Sequence, residues 1–173
     1  MAIGVRVPDI SWLVRVGSRM QLSRNDVLIR EGTVPEFIFL VIEGRFSVTM
    51  SALNGREVAS LSAGELIGEM SFVDSRPPSA SVLACEHSRV LAVPRRLLLE
   101  RFTGSPPFAA RFYRALAAFL ADRLRSTVAT LGYGAGDKLD ANRVYRDEID
   151  PALLDSISLA GARFDWILSQ LGA

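Results

Sequence analysis

The hydrophobic pattern of the chain changes character once, near Pro94. Between about residues 20 and 94, short runs rich in β-branched and aromatic residues alternate with glycine-containing turns. Such runs, spaced by about ten residues, are typical of antiparallel strands in a sandwich or roll. Asn54-Gly55 is the strongest hairpin signal in the chain. We predict strands at residues 26–30, 37–43, 45–51, 56–61, 79–84 and 88–93.

Helical periodicity replaces the strand pattern after Pro94. Residues 95–102 predict a short helix, and Pro106-Pro107 begin a longer one that ends near Leu131, before Gly132. Apolar residues recur every four positions along the long helix and others flank them, so its apolar stripe is broad. The stripe fits two arrangements: a helix that covers one core, or a helix that also forms a homodimer through residues 107–131.

The end of the chain has a different composition. Residues 134–150 are polar and predict a loop or tether, and residues 151–171 predict a final helix with Asp150 as its N-cap. We therefore expect a β-roll domain with its closing helix at residues 1–131, followed by a tether and C-terminal helix at 132–173. The expected fold class is mainly β with α: an antiparallel, jelly-roll-like β-roll (double-stranded β-helix) flanked by helices, with a long helix after the roll.

Composition narrows the classes of function. The chain has 173 residues, 49% of them hydrophobic, which suits one compact domain. Its 20 basic and 19 acidic residues give a formal charge of +1, which creates no global field for nucleic acid or an anionic membrane. We expect no membrane span, because the apolar runs are shorter than the ~20 residues a span needs. A single cysteine, Cys85, follows an apolar run and is predicted to be a small buried hydrophobe of a cytoplasmic protein.

The chain lacks the residues that catalysis or metal binding would need. The only histidine, His87, lies in the polar turn Glu86-His87-Ser88. One histidine does not support a metal cluster of the kind a cupin-type enzyme uses, and no serine lies in a nucleophile elbow. We therefore expect a protein that is not an enzyme, with no catalytic residue, no metal and no cofactor.

The segment from residue 64 to residue 82 is the most informative. Gly68 permits a tight turn directly before a one- or two-turn helix, whose first N–H groups, at about Met70 and Ser71, are free to meet an anion. Glu69 can accept hydrogen bonds from a pair of hydroxyls such as those of ribose. Two small residues let the next strand approach a ligand closely: Ser79 and Ala80. A cyclic phosphate fused to a sugar needs this combination.

Residues 21–125 resemble the cyclic-nucleotide-binding domain of catabolite-activator-type transcription factors, protein kinase A regulatory subunits and nucleotide-gated channels. Residues 68–82 are similar to the phosphate-binding cassette of that family, and residues 120–124 match its helical ending. This combination is far more specific than a lone glycine motif. The glycine frame of the family matches Glu31-Gly32, Glu43-Gly44, Asn54-Gly55 and Gly64.

The resemblance implies that Glu69 holds the ribose 2′-hydroxyl, that Ser79 and the Ala80 backbone contact phosphate, and that Thr127 reaches the base. The family's phosphate-binding arginine falls on Pro78, and Arg76 is the nearby guanidinium that would substitute for it. Loss of an arginine–phosphate contact weakens binding about ten- to a hundredfold. The predicted ligand-binding residues are Gly68, Glu69, Met70, Ser71, Arg76, Ser79, Ala80 and Thr127.

Each of these residues also has a structural interpretation. Glu69 suits a helix-start carboxylate favoured by the helix dipole. Ser79 suits an ordinary strand position, and Thr127 suits a solvated position on the long helix.

Two functional hypotheses follow. The first is a ligand-sensing regulatory domain that binds cAMP, cGMP or a related small anionic ligand and transmits binding through helix movement to an unidentified protein partner or a second protomer. The second is a degenerate member of the same fold that serves as a protein-interaction module without binding nucleotide. Direct DNA binding is not expected, because the residues after Leu131 show one convincing helix and more acidic than basic side chains.

Overall fold

A computed structural model describes the backbone of residues 7–132 and the side chains of residues 8–121 and 123–125. The predicted tether and C-terminal helix lie outside the described residues. The strands are β1 (Ser18–Leu22), β2 (Val27–Ile29), β3 (Phe37–Glu43), β4 (Phe46–Met50), β5 (Arg56–Leu61), β6 (Leu66–Ile67), β7 (Ser81–Ala84) and β8 (Ser88–Pro94). The helices are α1 (Val7–Val16), α2 (Glu69–Asp74), α3 (Arg95–Gly104) and α4 (Pro106–Gly132), and a 3-10 turn covers Ser51–Leu53.

The described strands form two four-stranded antiparallel sheets, in the orders β1-β8-β3-β6 and β2-β7-β4-β5. The longest pairing joins β3 to β8, from Phe37 opposite Pro94 to Glu43 opposite Arg89. The predicted antiparallel roll with flanking helices and a long helix after it is confirmed. The strand predicted to begin at Ser79 begins at Ser81 instead, because its pairing with β4 starts at Ser81, opposite Thr49.

Strands β3 and β8 are apolar at nearly every position because both of their faces are buried. Alternate residues of β3 point in opposite directions: Phe39 and Val41 into the roll, Ile38 and Ile42 toward the helices. The buried core inside the roll consists of Leu22, Ile29, Phe39, Val41, Phe46, Leu61, Ile67, Val82, Ala84, Val90 and Ala92. The buried core under the helices consists of Ile10, Ile38, Ile42, Phe72, Leu91, Val93, Leu98, Phe108, Phe112 and Leu116.

Helix α1 was not among the predicted elements, although Pro8 in its first turn and Asp9 beside it are typical of a helix start. It packs on α4 through Trp12, whose ring meets Phe108 edge-on at 5.4 Å. Asp9 is buried and accepts two hydrogen bonds from Arg111, at 2.7 and 2.8 Å. These contacts fix the first half of α4 to α1. No helix within the described residues has the length and apolar character needed to cross a bilayer.

The turn from β3 to β4 requires glycine at position 44. Gly44 has a φ of +95°, and a Cβ there would lie 2.1 Å from Oγ of Ser88, which is fully buried. Neither the backbone conformation nor the space accepts a side chain.

The prediction that Cys85 is buried was wrong. Val82 and Ala84 point into the roll. Cys85 follows the last residue of β7, lies on the opposite, outer face of the sheet and is only partly buried. The alternation of a strand places consecutive residues on opposite faces, so the apolar run before a residue does not bury that residue.

Candidate functional site

Gly68 makes the turn that begins the cassette. It has a φ of +90°, and a Cβ there would lie 3.3 Å from the Phe37 carbonyl oxygen. Helix α2 follows it immediately and has six residues, in agreement with the prediction of a short helix after Gly68. The glycine therefore lets the cassette pass close to strand β3.

Glu69 is the central side chain of this region. It is 3% exposed, and Nη1 of Arg123 donates a hydrogen bond to its Oε1. Nη2 of Arg123 donates to the Leu66 carbonyl oxygen at 3.1 Å and lies 3.4 Å from Oε1 of Glu65. Helix α4 is thus attached to the cassette through one guanidinium. Sequence analysis placed Arg123 in the family's helical ending but gave it no role.

The ionisation of Glu69 reflects two opposing effects. Burial raises the pKa of the Glu69 carboxyl above its ordinary value of 4.5, while Arg123 and a backbone hydrogen bond lower it; burial prevails. The folded protein therefore holds this proton more tightly than the unfolded chain does. Ionisation of Glu69 opposes folding, and its contribution to the free energy of unfolding falls as pH rises above 4.5.

We expect Glu69→Gln to remove this pH dependence, because glutamine has the same length as glutamate but cannot ionise. The stability of the variant relative to the native protein should increase as pH rises from 4.5 and level off above the folded-state pKa. Urea unfolding of both proteins at a series of pH values measures the difference. A difference that stays constant, or that shifts in favour of the native protein with rising pH, would contradict this account.

The segment between α2 and β7 is held by the turn that follows β2. The N–H of Gly32 donates to the Pro78 carbonyl oxygen at 2.8 Å, and the N–H of Glu31 donates to Oγ of Ser81 at 3.0 Å. Ser79 is exposed and Ala80 is half-buried between these two anchors. The backbone at the predicted phosphate contacts is therefore fixed from both sides.

Arg95 ties the cassette helix to the start of α3. Its guanidinium donates to the carbonyl oxygens of Ser71, at 2.7 Å, and Pro35, at 3.1 Å, and lies 5.4 Å from the centre of the Phe72 ring. Burial lowers the pKa of Arg95 from its ordinary value. Sequence analysis did not single out this residue, because its partners are backbone oxygens with no side-chain signature.

The predicted ligand-binding residues fall into four groups. Gly68, Glu69, Met70 and Ser71 are contiguous at the start of α2; there Ser71 is buried and Met70 is 61% exposed. Arg76 is exposed just after α2, and its backbone N–H donates to Oδ1 of Asp74 at 3.0 Å. Ser79 and Ala80 lie before β7. Thr127 lies in α4, four residues after Arg123, and its side chain is outside the described ones. Their contacts with a ligand stay predictions.

Within the described part of the chain, every buried side-chain nitrogen or oxygen atom has a hydrogen-bond partner. That part also contains no group of three or more histidine, cysteine or acidic side chains that could hold a metal ion. A ligand at Glu69 must therefore share or replace the hydrogen bonds that Arg123 now makes.

The sequence of this chain is similar to those of known proteins. A sequence profile of the family described as cyclic nucleotide-binding domain matches residues 19–103. The chain is 37% identical over 124 residues to the cyclic AMP receptor protein of Thermus thermophilus, an alignment that covers 70% of this chain and 56% of that protein. This chain thus spans little more than half of that relative.

Solved structures agree with the sequence matches. The catabolite activator protein of Thermus thermophilus superposes with a TM-score of 0.60 at 30% identity, over 75% of this chain and 60% of that chain. A cyclic nucleotide-binding domain from Methylobacillus flagellatus superposes with a TM-score of 0.66 at 24% identity, over 75% and 74% of the two chains, and supports the fold. The predicted family is confirmed: residues 19–103 of this chain belong to the cyclic-nucleotide-binding domain family.

Proposed function

We propose that this protein is a sensor domain that binds cAMP, cGMP or a related small anionic ligand at residues 68–81 and transmits binding through α4. One observation carries the proposal: the buried carboxylate of Glu69 is joined to α4 by Arg123. Burying a carboxylate costs desolvation free energy and does not by itself stabilise the fold. Its presence at the start of the cassette helix therefore favours a functional role.

Ligand recognition follows from the chemistry of Glu69. An ionised carboxylate accepts hydrogen bonds and cannot donate them, so it selects a ligand with hydroxyl donors, such as the 2′-hydroxyl of ribose. The guanidinium of Arg123 then keeps the carboxylate ionised when the ligand replaces part of its contacts. Ser79, the Ala80 backbone and Arg76 contact the ligand phosphate. The side chain of Arg76 is exposed and can therefore move toward it.

Transmission follows from the attachment of α4 at two points. Arg111 joins α4 to Asp9 of α1, and Arg123 joins it to Glu69 of the cassette. These arginines are 12 residues apart, about 18 Å along the helix axis. A ligand that competes for Glu69 acts only on the second attachment, so the far end of α4 would shift while its beginning stays fixed. The coupling is limited to the difference in ligand affinity between the two positions of the helix.

A protein-interaction module without nucleotide binding is the second candidate. Pro78 favours it, because the residue at the family's arginine position carries no charge, and Arg123 already neutralises Glu69. In this case the roll is a scaffold, and the exposed apolar residues of α4, Phe119 and Leu124, contribute to the surface that a partner or second copy contacts.

We propose that the domain acts without catalysis and without contacting DNA directly. We place it in the cytoplasm, where the thiol of Cys85 stays reduced. Assembly through residues 107–131 would give a second protomer as the recipient of the signal.

Isothermal titration with cAMP and with cGMP tests the proposal. We expect micromolar binding that Glu69→Ala abolishes. Glu65→Ala is the matched control, since it removes the other carboxylate near Arg123 without touching the predicted ribose contact. Absence of heat at millimolar nucleotide, or equal binding by Glu69→Ala and the native protein, would reject the sensor and favour the interaction module.

A further inference from the structure

We propose that the protein has a second anion site, for a small phosphate monoester, on the outer face of the sheet β2-β7-β4-β5. A cavity of about 250 Å³ lies there, at the end of β7. Two arginines line it: Arg24, which precedes β2, and Arg45, which precedes β4. The other lining residues are Asn25, Ser47, Thr49, Leu83, Ala84 and Cys85.

Sheet topology explains why the two arginines meet at one cavity. Strand β7 lies between β2 and β4 and runs antiparallel to both, so the residues that precede β2 and β4 lie beside the end of β7. Hydrogen bonds fix both sides: the Asn25 N–H donates to the Ala84 carbonyl oxygen, and the Cys85 N–H donates to the Arg45 carbonyl oxygen, each at 2.8 Å. The backbone that carries each guanidinium is therefore held against the same strand end.

No acidic side chain is among the residues that line the cavity. Neither Arg24 nor Arg45 makes an ion pair within the described part of the chain, in contrast to Arg89, Arg111 and Arg123. Glu57 accepts a hydrogen bond from Oγ of the lining residue Ser47 at 2.5 Å but is not itself part of the lining. Two guanidiniums at one cavity repel each other and are well suited to bidentate contacts with a phosphate.

The size and lining of the cavity restrict the ligand. Its volume is below the range of about 300–1,000 Å³ that is typical of sites for drug-sized ligands. Leu83 provides an apolar surface beside the arginines, and Thr49 provides a hydroxyl. This combination fits a phosphate group on a short apolar or aromatic body.

The cavity is separate from the cassette. Ser47, Thr49 and Leu83 face outward, because the residues that alternate with them in the same strands, among them Phe46 and Val82, are buried inside the roll. The start of the cassette follows β6, and its Glu69 contacts Arg123 of α4 instead. The inference therefore goes beyond the proposed nucleotide site and does not depend on it.

The reactivity of Cys85 reports on this cavity alone. Cys85 is the only cysteine of the chain, it lines the cavity, and it is partly exposed. The experiment measures the rate at which iodoacetamide alkylates Cys85 in the presence of phenyl phosphate. We expect saturable slowing of alkylation by phenyl phosphate and none by phenol, which has the ring without the phosphate. Arg24→Gln/Arg45→Gln should raise the half-protecting concentration about tenfold or more.

Arg19→Gln/Arg56→Gln is the matched control, because it removes two exposed positive charges from β1 and β5, outside the lining of the cavity. It should leave the protection unchanged. All four arginines are exposed, so their replacement is expected to change the free energy of unfolding by less than about 0.5 kcal/mol. No protection of the native protein by millimolar phenyl phosphate, equal protection by phenol, or an equal loss in both double variants would overturn the proposal.

Discussion

Replacing Arg111 with methionine is expected to lower the free energy of unfolding by about 3–5 kcal/mol. Arg111 donates to both carboxylate oxygens of Asp9, which is only 4% exposed, so the variant leaves that carboxylate in the protein interior without its guanidinium. The hydrogen bonds that Arg111 donates to Asp9 also raise the pKa of Arg111, which keeps the pair charged. Urea unfolding followed by circular dichroism measures the loss.

Two further variants separate the ion pair from other effects of the substitution. Arg114→Met makes the same change at an exposed position one turn further along α4, and should alter the free energy of unfolding by less than about 0.5 kcal/mol. Asp9→Leu/Arg111→Met removes both charges and should lose less stability than Arg111→Met alone. A loss below about 1 kcal/mol in Arg111→Met would mean that the pair behaves as an exposed surface pair.

The parts of the fold that were predictable are those whose signals are local. Strand alternation, Asn54-Gly55 and the two prolines that begin α4 each specify their own element, and the structure has the roll, the hairpin and the long helix there. Strand β6 was missed because two residues, Leu66 and Ile67, are too few to show a period. Helix α1 was missed although Pro8 and Asp9 carry recognisable start signals.

The contacts that organise the candidate site were not predictable. Asp9 and Arg111 are 102 residues apart, and Glu69 and Arg123 are 54 apart, so no local pattern connects either pair. Sequence analysis identified Glu69 from its position after Gly68, which is a local feature. It could not identify the side chain on α4 that would meet this carboxylate, because the pairing depends on how the helix packs across the roll.

Replacing Pro78 with arginine is expected to tighten the binding of cAMP or cGMP by about 10- to 150-fold, which corresponds to the 1.5–3 kcal/mol of a hydrogen bond to a charged group. The resemblance of the cassette implies that Pro78 stands where the family has its phosphate-binding arginine. The Pro78 carbonyl oxygen already accepts a hydrogen bond from the Gly32 N–H at 2.8 Å. That backbone contact does not depend on the proline ring, so the substitution adds a guanidinium to a segment that is already fixed. Titration calorimetry with each nucleotide measures the gain.

Pro78→Gln is the control for this gain, because it also replaces the ring with a long polar side chain but adds no charge. Only the arginine variant should bind more tightly, and its advantage should shrink as salt concentration rises, since a charge-assisted contact with phosphate is screened. Equal affinities of the two variants would mean that the cassette does not hold a ligand phosphate beside residue 78. The domain would then depart from its family in the geometry of the site as well as in the loss of one arginine, and the interaction module would become the better account of its function.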